Sequence, residues 1–262
     1  LDHPDTNFFG VAWSPDGKLL ACSTALQGVR VWNVTTGSHR GIGQAHATWI
    51  LRVAWSRDGT RLVGGGEDGH VSVWDASDGT LLKRLAEHHG PVRSVVWSPD
   101  GRRLASGGGG REGGELFVWD ARSGERLAAL QGRASVLYAV AWHPVGDRLI
   151  SGGSDGRLRW WDLQSGACLR EREAHQGKVQ ALKVSPDGKR IASCGDDGAI
   201  RLWDVHSGEH LRTLRRDRPY ERLTITGIRG LTEAQKASLR ALGALEDEAD
   251  EESRRPEQTA EL

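Results

Sequence analysis

Three residues in the last third of the chain, His175, Ser193 and Asp197, have the side chains of a nucleophile, a general base and an orienting carboxylate. Such a set performs acyl transfer when the imidazole reaches the hydroxyl on one side and the carboxylate on the other. Two other segments invite a chemical reading. Residues 107–114 are six glycines around Arg111 and Glu112, and glycine lets backbone amides approach a phosphate. No Lys-Ser or Lys-Thr follows, however, and no strand-to-helix setting is apparent, so a phosphate loop is not supported. Asp196-Asp197-Gly198 is too short to be a calcium loop. Cys22, Cys168 and Cys194 form an odd set without Cys-x-x-Cys spacing, which argues against zinc and against a disulfide framework.

These residue types also come in copies. Trp-Asp recurs at Trp74-Asp75, Trp119-Asp120, Trp161-Asp162 and Trp203-Asp204, with Trp32-Asn33 as a variant, in steps of 42, 45, 42 and 42 residues. Ser14-Pro15-Asp16-Gly17, Ser56-Arg57-Asp58-Gly59, Ser98-Pro99-Asp100-Gly101, His143-Pro144-Val145-Gly146 and Ser185-Pro186-Asp187-Gly188 keep the same beat. Pro presets a turn's first corner, Asp accepts local backbone bonds and Gly takes the left-handed position, so each tetrapeptide reads as a hairpin turn. A third series runs from Thr36-Gly37 to Ser207-Gly208. In repeat five the β-rich runs fall at 179–184, 190–193, 199–203 and 210–214. Four short antiparallel strands per forty-odd residues is the pattern of a propeller blade.

On these motifs the chain resembles the WD-repeat β-propeller family over roughly residues 1–215. The resemblance implies an all-β propeller of four-stranded antiparallel blades, five of them present, in an incomplete ring that forms either an open arc or a strained five-blade ring. It also implies a buried hydrogen-bonded tetrad in each blade: a His before strand a, a Ser on strand b, the Asp of the b–c turn and the strand-c Trp. His175, Ser193, Asp197 and Trp203 match all four places. Blade four offers Ser151, Asp155 and Trp161 with Arg133 in the His place, and blade two has His46, Asp68 and Trp74 with Gly64 in the Ser place. Blade three keeps His88, Ser106 and Trp119 and loses the Asp to an insertion; blade one keeps His3 and Trp32, with Cys22 and Leu26 elsewhere. A triad is built once, whereas these groups recur, so the set is scaffold. Nine of the eleven tryptophans fall in two columns, Trp13, Trp55, Trp97, Trp142 and Trp32, Trp74, Trp119, Trp161, Trp203. They are expected to fill the wedges between blades. Trp49 and Trp160 are off the beat.

Where the repeats disagree, the fold does not dictate the side chain. The resemblance implies that top-rim contacts come from the third and fifth residues after the His and from the residue before the b–c Asp. The first column is Trp49, Pro91, Val136 and Lys178, with Asn7 in blade one; the second is Phe9, Leu51, Arg93, Tyr138 and Gln180; the third is Glu67, Ser154 and Asp196. Residues 107–114 become a lengthened b–c loop that projects Arg111 and Glu112 from the rim. Trp, Tyr and Arg are enriched among interface hot spots. Trp49, Leu51, Arg93 and Tyr138 are therefore expected to form one protein- or peptide-binding patch, joined by Glu67, Arg111, Ser154, Lys178, Gln180 and Asp196.

Leu1-Asp2-His3 matches the end of a strand d, so the chain is expected to open inside a repeat, with two or more blades upstream. After residue 215 the beat stops. A strand is expected over 220–226, and Thr232-Glu233-Ala234-Gln235 reads as a capping box opening a helix through about Leu242, with Gly243 as its stop. From Glu246 onward eight acidic residues oppose two Arg, the composition of a disordered tail. The expected organisation is blades over 1–215, a strand–helix extension over 216–245 and the tail over 246–262. The stretch 220–243 is similar to the C-terminal end of large bacterial WD-repeat proteins, many of which carry an upstream signalling NTPase or kinase domain.

Basic and acidic residues balance at 35 each; setting aside the tail's −6 leaves +6 spread over residues 1–245. That is too mild for a nucleic-acid footprint. No apolar run approaches the ~20 residues of a membrane span, and the cysteine usage suits a reducing cytoplasm. The expected function is a non-catalytic interaction or sensing module of a larger cytoplasmic signalling protein, binding a protein or peptide partner without cofactor or metal. A propeller enzyme with a central-channel site and an architectural spacer are the alternatives. The enzyme requires inward-pointing carboxylates, histidines or metal ligands, and the second column supplies none.

Overall fold

A computed structural model describes residues 8–25, 28–42, 46, 48–110, 113–131, 135–215, 223–225, 228, 230–242 and 244. His3, Asn7, Leu26, Arg111, Glu112, Arg133, Gly243 and the acidic tail lie outside the described residues. The chain divides into two units, Leu1–Leu214 and Arg215–Leu262.

The first unit holds five four-stranded antiparallel sheets, each in sequential strand order. Blade one is β1 (Phe8–Trp13), β2 (Leu19–Thr24), β3 (Val29–Asn33) and β4 (His39–Ile42). Blade two is β5 (Ile50–Trp55), β6 (Arg61–Gly66), β7 (Val71–Asp75) and β8 (Leu81–Leu85). Blade three is β9 (Val92–Trp97), β10 (Arg103–Gly110), β11 (Gly113–Asp120) and β12 (Arg126–Gln131). Blade four is β13 (Leu137–Trp142), β14 (Arg148–Gly153), β15 (Arg157–Asp162) and β16 (Cys168–Glu173). Blade five is β17 (Val179–Val184), β18 (Arg190–Gly195), β19 (Ile200–Asp204) and β20 (His210–Leu214).

Local chemistry explains the beat. In the first a–b turn, Ser14 Oγ donates to Asp16 Oδ1 at 2.6 Å and accepts Leu19 N at 2.8 Å. Gly17 closes that turn at φ +71°, where a side chain would be strained. The Asp of Trp-Asp serves the following turn instead. Asp162 Oδ1 accepts Ser165 N at 2.7 Å and so ties down the c–d connection. Asn33 does the same for Thr35 and Thr36, both at 3.0 Å, which explains why Trp-Asn substitutes there.

The apolar residues gather into four cores, each between two consecutive blades. A sheet with one apolar face must bury it against a neighbour, and the blades do so in series. The strand-a tryptophans stitch these seams. Trp55 Nε1 donates to Ala12 O (3.1 Å), Trp97 Nε1 to Ala54 O (3.4 Å) and Trp142 Nε1 to Val96 O (3.3 Å), each in the preceding blade. Arg61 and Arg103 stack on Trp97 and Trp142. Trp160 joins the fourth seam, donating to Val205 O at 3.0 Å, so its place off the beat is structural.

Two faces are left without a seam. Trp13 is 57% exposed and Val11 64%, whereas Trp55 and Trp142 are 8% and 6% exposed. Trp13 therefore does not fill a wedge as its column predicts. On blade five, Ile200 is 45% exposed while Val29, Val71, Leu116 and Leu158, its counterparts on the earlier blades, are at 0%. Both observations fit one cause: among the described residues, none of the four cores covers either face.

The second unit contains one helix among its described residues, α1 (Glu233–Ala241). Thr232 caps it in a reciprocal box with Gln235. Of the strand expected over 220–226, residues 223–225 are described, and only Thr224 makes a β-bridge.

Candidate functional site

The apparent triad of blade five is assembled, but as a structural knot. His175 Nε2 lies 2.7 Å from Ser193 Oγ and Nδ1 lies 2.8 Å from Asp197 Oδ1. Trp203 Nε1 donates to the same Ser193 Oγ at 2.9 Å. Ser193 is 1% exposed and the His175 side chain 0%, so neither the hydroxyl nor the imidazole can meet a substrate. Burial alone would raise the Asp197 carboxyl; its bonds from His175, Arg201 and the Ala199 and Gln176 amides outweigh that and hold it well below the usual range.

The other blades depart from the sequence expectation in instructive ways. Blade three keeps its carboxylate. Glu115, on β11, lies 3.1 Å from His88 Nδ1, and Ser106 Oγ bridges His88 Nε2 (2.7 Å) to Trp119 Nε1 (2.8 Å). The insertion is not a loop either. It extends β10 and β11 in register, pairing Gly109 with Gly114 and Gly110 with Gly113. Blade two keeps His46 Nδ1 on Asp68 Oδ1 at 2.8 Å, but Gly64 supplies no hydroxyl. The two atoms that such a hydroxyl would bridge, Trp74 Nε1 and His46 Nε2, are buried without a partner. In blade four, Ser135 takes the histidine's space. A Cβ on Gly153 would fall 2.3 Å from Ser135 Oγ, just as one on Gly66 would fall 2.2 Å from His46 Nδ1. Buried Arg159 binds Asp155 at 2.5 Å and Glu171 at 2.7 Å, adding charge pairing to that blade.

The second rim column converges. Phe9, Leu51, Arg93, Tyr138 and Gln180, one from each blade, line a single open depression of about 180 Å³. Two members of the first column, Trp49 and Lys178, border it. Trp49, 42% exposed, stacks on Phe9 with ring centroids 5.2 Å apart, and Lys178 Nζ lies 5.3 Å from the Tyr138 centroid. The third column is tied to the first by the backbone: Glu67 N donates to Trp49 O (2.9 Å), Ser154 N to Val136 O (2.9 Å) and Asp196 N to Lys178 O (3.0 Å). Asp196 also accepts Gln180 Nε2 at 2.6 Å. Glu67 and Ser154 do not line the depression, and Arg111 is outside the described residues.

Arg52 completes the lining and was not among the sequence candidates. Its counterparts in the other blades are Gly10, Ser94, Ala139 and Ala181. A lone arginine in a column of small residues is the signal that could have found it. Among the described residues, no cluster of three or more His, Cys, Asp or Glu is arranged to hold a metal ion, and no helix is long and apolar enough to cross a membrane.

Blades with a Trp-capped strand c and a His–Ser–acid core define a WD-repeat propeller assembly. The WD domain, G-beta repeat family matches at residues 1–33, 37–75, 79–120, 124–162 and 166–204, and the chain belongs to that family. Among curated protein sequences, no relative matches. Of the solved structures, a chain in the crystal structure of a mitotic checkpoint complex is similar, with a TM-score of 0.72 and 28% identity. The similarity covers 82% of this chain and 66% of that one.

Proposed function

We propose that this chain is a non-catalytic interaction module that binds a protein or peptide at the mouth where β1, β5, β9, β13 and β17 begin. One observation carries this reading. Five unlike side chains, one from each blade, surround a single depression, and an exposed tryptophan stacks at its border. The repeats share the turns and seams that the fold needs, so unlike side chains that converge on one depression are room left for recognition. Trp49, Leu51, Arg93 and Tyr138 are the central contacts; Glu67, Ser154, Lys178, Gln180, Asp196 and Arg111 are flanking ones. Rings and arginine fit that role because they combine large contact area with directed polar groups. The similar solved chain comes from a protein complex, which agrees with a binding role. The burial of His175 and Ser193 weighs against turnover at the one triad-like set. The proposed setting is a larger cytoplasmic bacterial signalling protein, with the blades recruiting or sensing a partner for domains upstream.

The test is co-purification with the Trp49→Ala/Tyr138→Ala double variant, with the folded state checked by circular dichroism. Loss of partners present with the parent chain is expected; retention of every one by the folded variant would refute the rim assignment.

A further inference from the structure

The mouth has a charge character of its own. Arg93 lies with its guanidinium carbon 4.9 Å from the Tyr138 centroid, and Lys178 Nζ lies 5.3 Å from the same ring. Arg52, which lines the depression with Arg93, adds a third cation to the mouth, its Nε donating to Arg93 O at 3.3 Å. No carboxylate pairs with any of the three among the described residues. The nearby acid, Asp196, accepts Gln180 Nε2 on Oδ1 and Lys178 N at 3.0 Å on Oδ2. Its charge also acts on Lys178, so it offsets part of the positive charge at that edge and the excess is centred on Arg93 and Arg52. Elsewhere some arginines have acidic partners, as in Arg126–Glu87, Arg159–Glu171 and Arg201–Asp197, and others bind backbone carbonyls singly, as Arg57 and Arg61 do. The mouth differs in bringing three cations together. Arg93 Nε is also buried without a hydrogen-bond partner.

Gathering three like charges in a partly enclosed mouth is unfavourable until an anion enters, and the attraction there exceeds that at an open surface. A guanidinium stacked on a ring is held flat and presents its N–H edge for paired bonds to a carboxylate or phosphate. At about 180 Å³ the depression is smaller than the roughly 300–1,000 Å³ of drug-sized sites, so it suits one or two side chains of a longer ligand. We infer that the mouth takes an anionic side chain of a bound peptide, a carboxylate or a phosphoryl group, on Arg93, Lys178 and Arg52, with Trp49, Phe9 and Leu51 contacting apolar neighbours. This rests on the rim-binding reading and adds the chemistry of its partner.

The experiment is fluorescence anisotropy of the full chain with four labelled decapeptides. They share flanking Leu and Tyr residues and differ only in a central pair: Glu-Glu, phosphoserine-phosphoserine, Gln-Gln or Lys-Lys. One of the anionic peptides is expected to bind at least about tenfold tighter than the Gln-Gln peptide, with the advantage shrinking as salt rises. Whichever anionic peptide binds tighter identifies the group as carboxylate or phosphoryl. Arg93→Gln/Lys178→Gln should abolish the advantage, and Lys178→Gln alone, at the exposed edge, should reduce it. Equal binding of all four peptides, preference for Lys-Lys, or undiminished preference in the double variant would overturn the inference. Equal binding that is lost in Trp49→Ala/Tyr138→Ala would remove the anion requirement and leave the rim reading standing. Binding of none of the four would overturn the inference, while the co-purification result would still decide the rim reading.

Discussion

The Glu115 carboxylate reaches His88 Nδ1 at 3.1 Å from strand β11, doing in blade three what Asp197 does for His175 from the b–c turn of blade five. The link has a consequence for acid stability. Burial pushes the His88 imidazole down to about 4 from 6.5, with Glu115 only partly opposing it. The unfolded chain therefore takes up this proton first. The contribution is complete above pH 6.5, declines as the pH falls toward 4 and levels off below. Its size is on the order of 3 kcal/mol. Burial acts the other way on Glu115, raising it, but its bonds from His89 and His88 outweigh that and hold it below 4.5, so a second loss begins under that pH. Urea unfolding across this pH range should show the decline, and His88→Gln should flatten its upper part.

Blade two predicts a counterintuitive result. A Cβ on Gly64 would sit 2.8 Å from Trp74 Cη2 and Cζ3 and 3.1 Å from Ile50 Cγ2. Gly64→Ser would supply the hydroxyl that Trp74 and His46 lack, but only by displacing the indole. Both Gly64→Ser and Gly64→Ala are expected to destabilise by about 1–3 kcal/mol, the usual range for overpacking. A rise in melting temperature for the serine variant would show that Trp74 moves at little cost.

Asp197→Ala should loosen blade five. It leaves the His175 imidazole buried without its acceptor and Arg201 without its carboxylate. A loss of about 2–4 kcal/mol is expected, with hydrogen exchange rising first in β18 and β19. A hydrolase activity lost in Ser193→Ala with an unchanged melting curve would contradict the structural assignment.

The seams predict opposite fates for two tryptophans in one column. Trp142→Ala empties a site that is 6% exposed and should cost about 3–5 kcal/mol. Trp13→Ser alters a ring that is 57% exposed and should fall within about 0.5 kcal/mol of the parent. Equal large losses would mean that the blade-one face is covered.

What could be read in the residues was what is local. The Ser14–Asp16 turn bond and the Asp162 cap use partners two to three residues away, so the repeat and its strands follow from spacing alone. The blade-five tetrad and the converging column from Phe9 to Gln180 were legible because repeats share a frame. Glu115 was hidden because it reaches the histidine from a different strand, and Ser135 because it fills its space from two residues beyond the aligned position of Arg133. Trp13's exposure was illegible for another reason. Its column describes a ring that needs a neighbour, and whether the neighbour is there is a property of the assembly. Arg52 was visible in principle, as the one large side chain among Gly10, Ser94, Ala139 and Ala181.

The central claim, recognition at the mouth, is tested most directly by photo-crosslinking. Benzoylphenylalanine placed at position 138 should capture the partner in high yield; placed at position 127, on outer strand β12, it should not. Crosslinking from position 127 with none from 138 would contradict the account and move the binding surface to the outer edge of the blades.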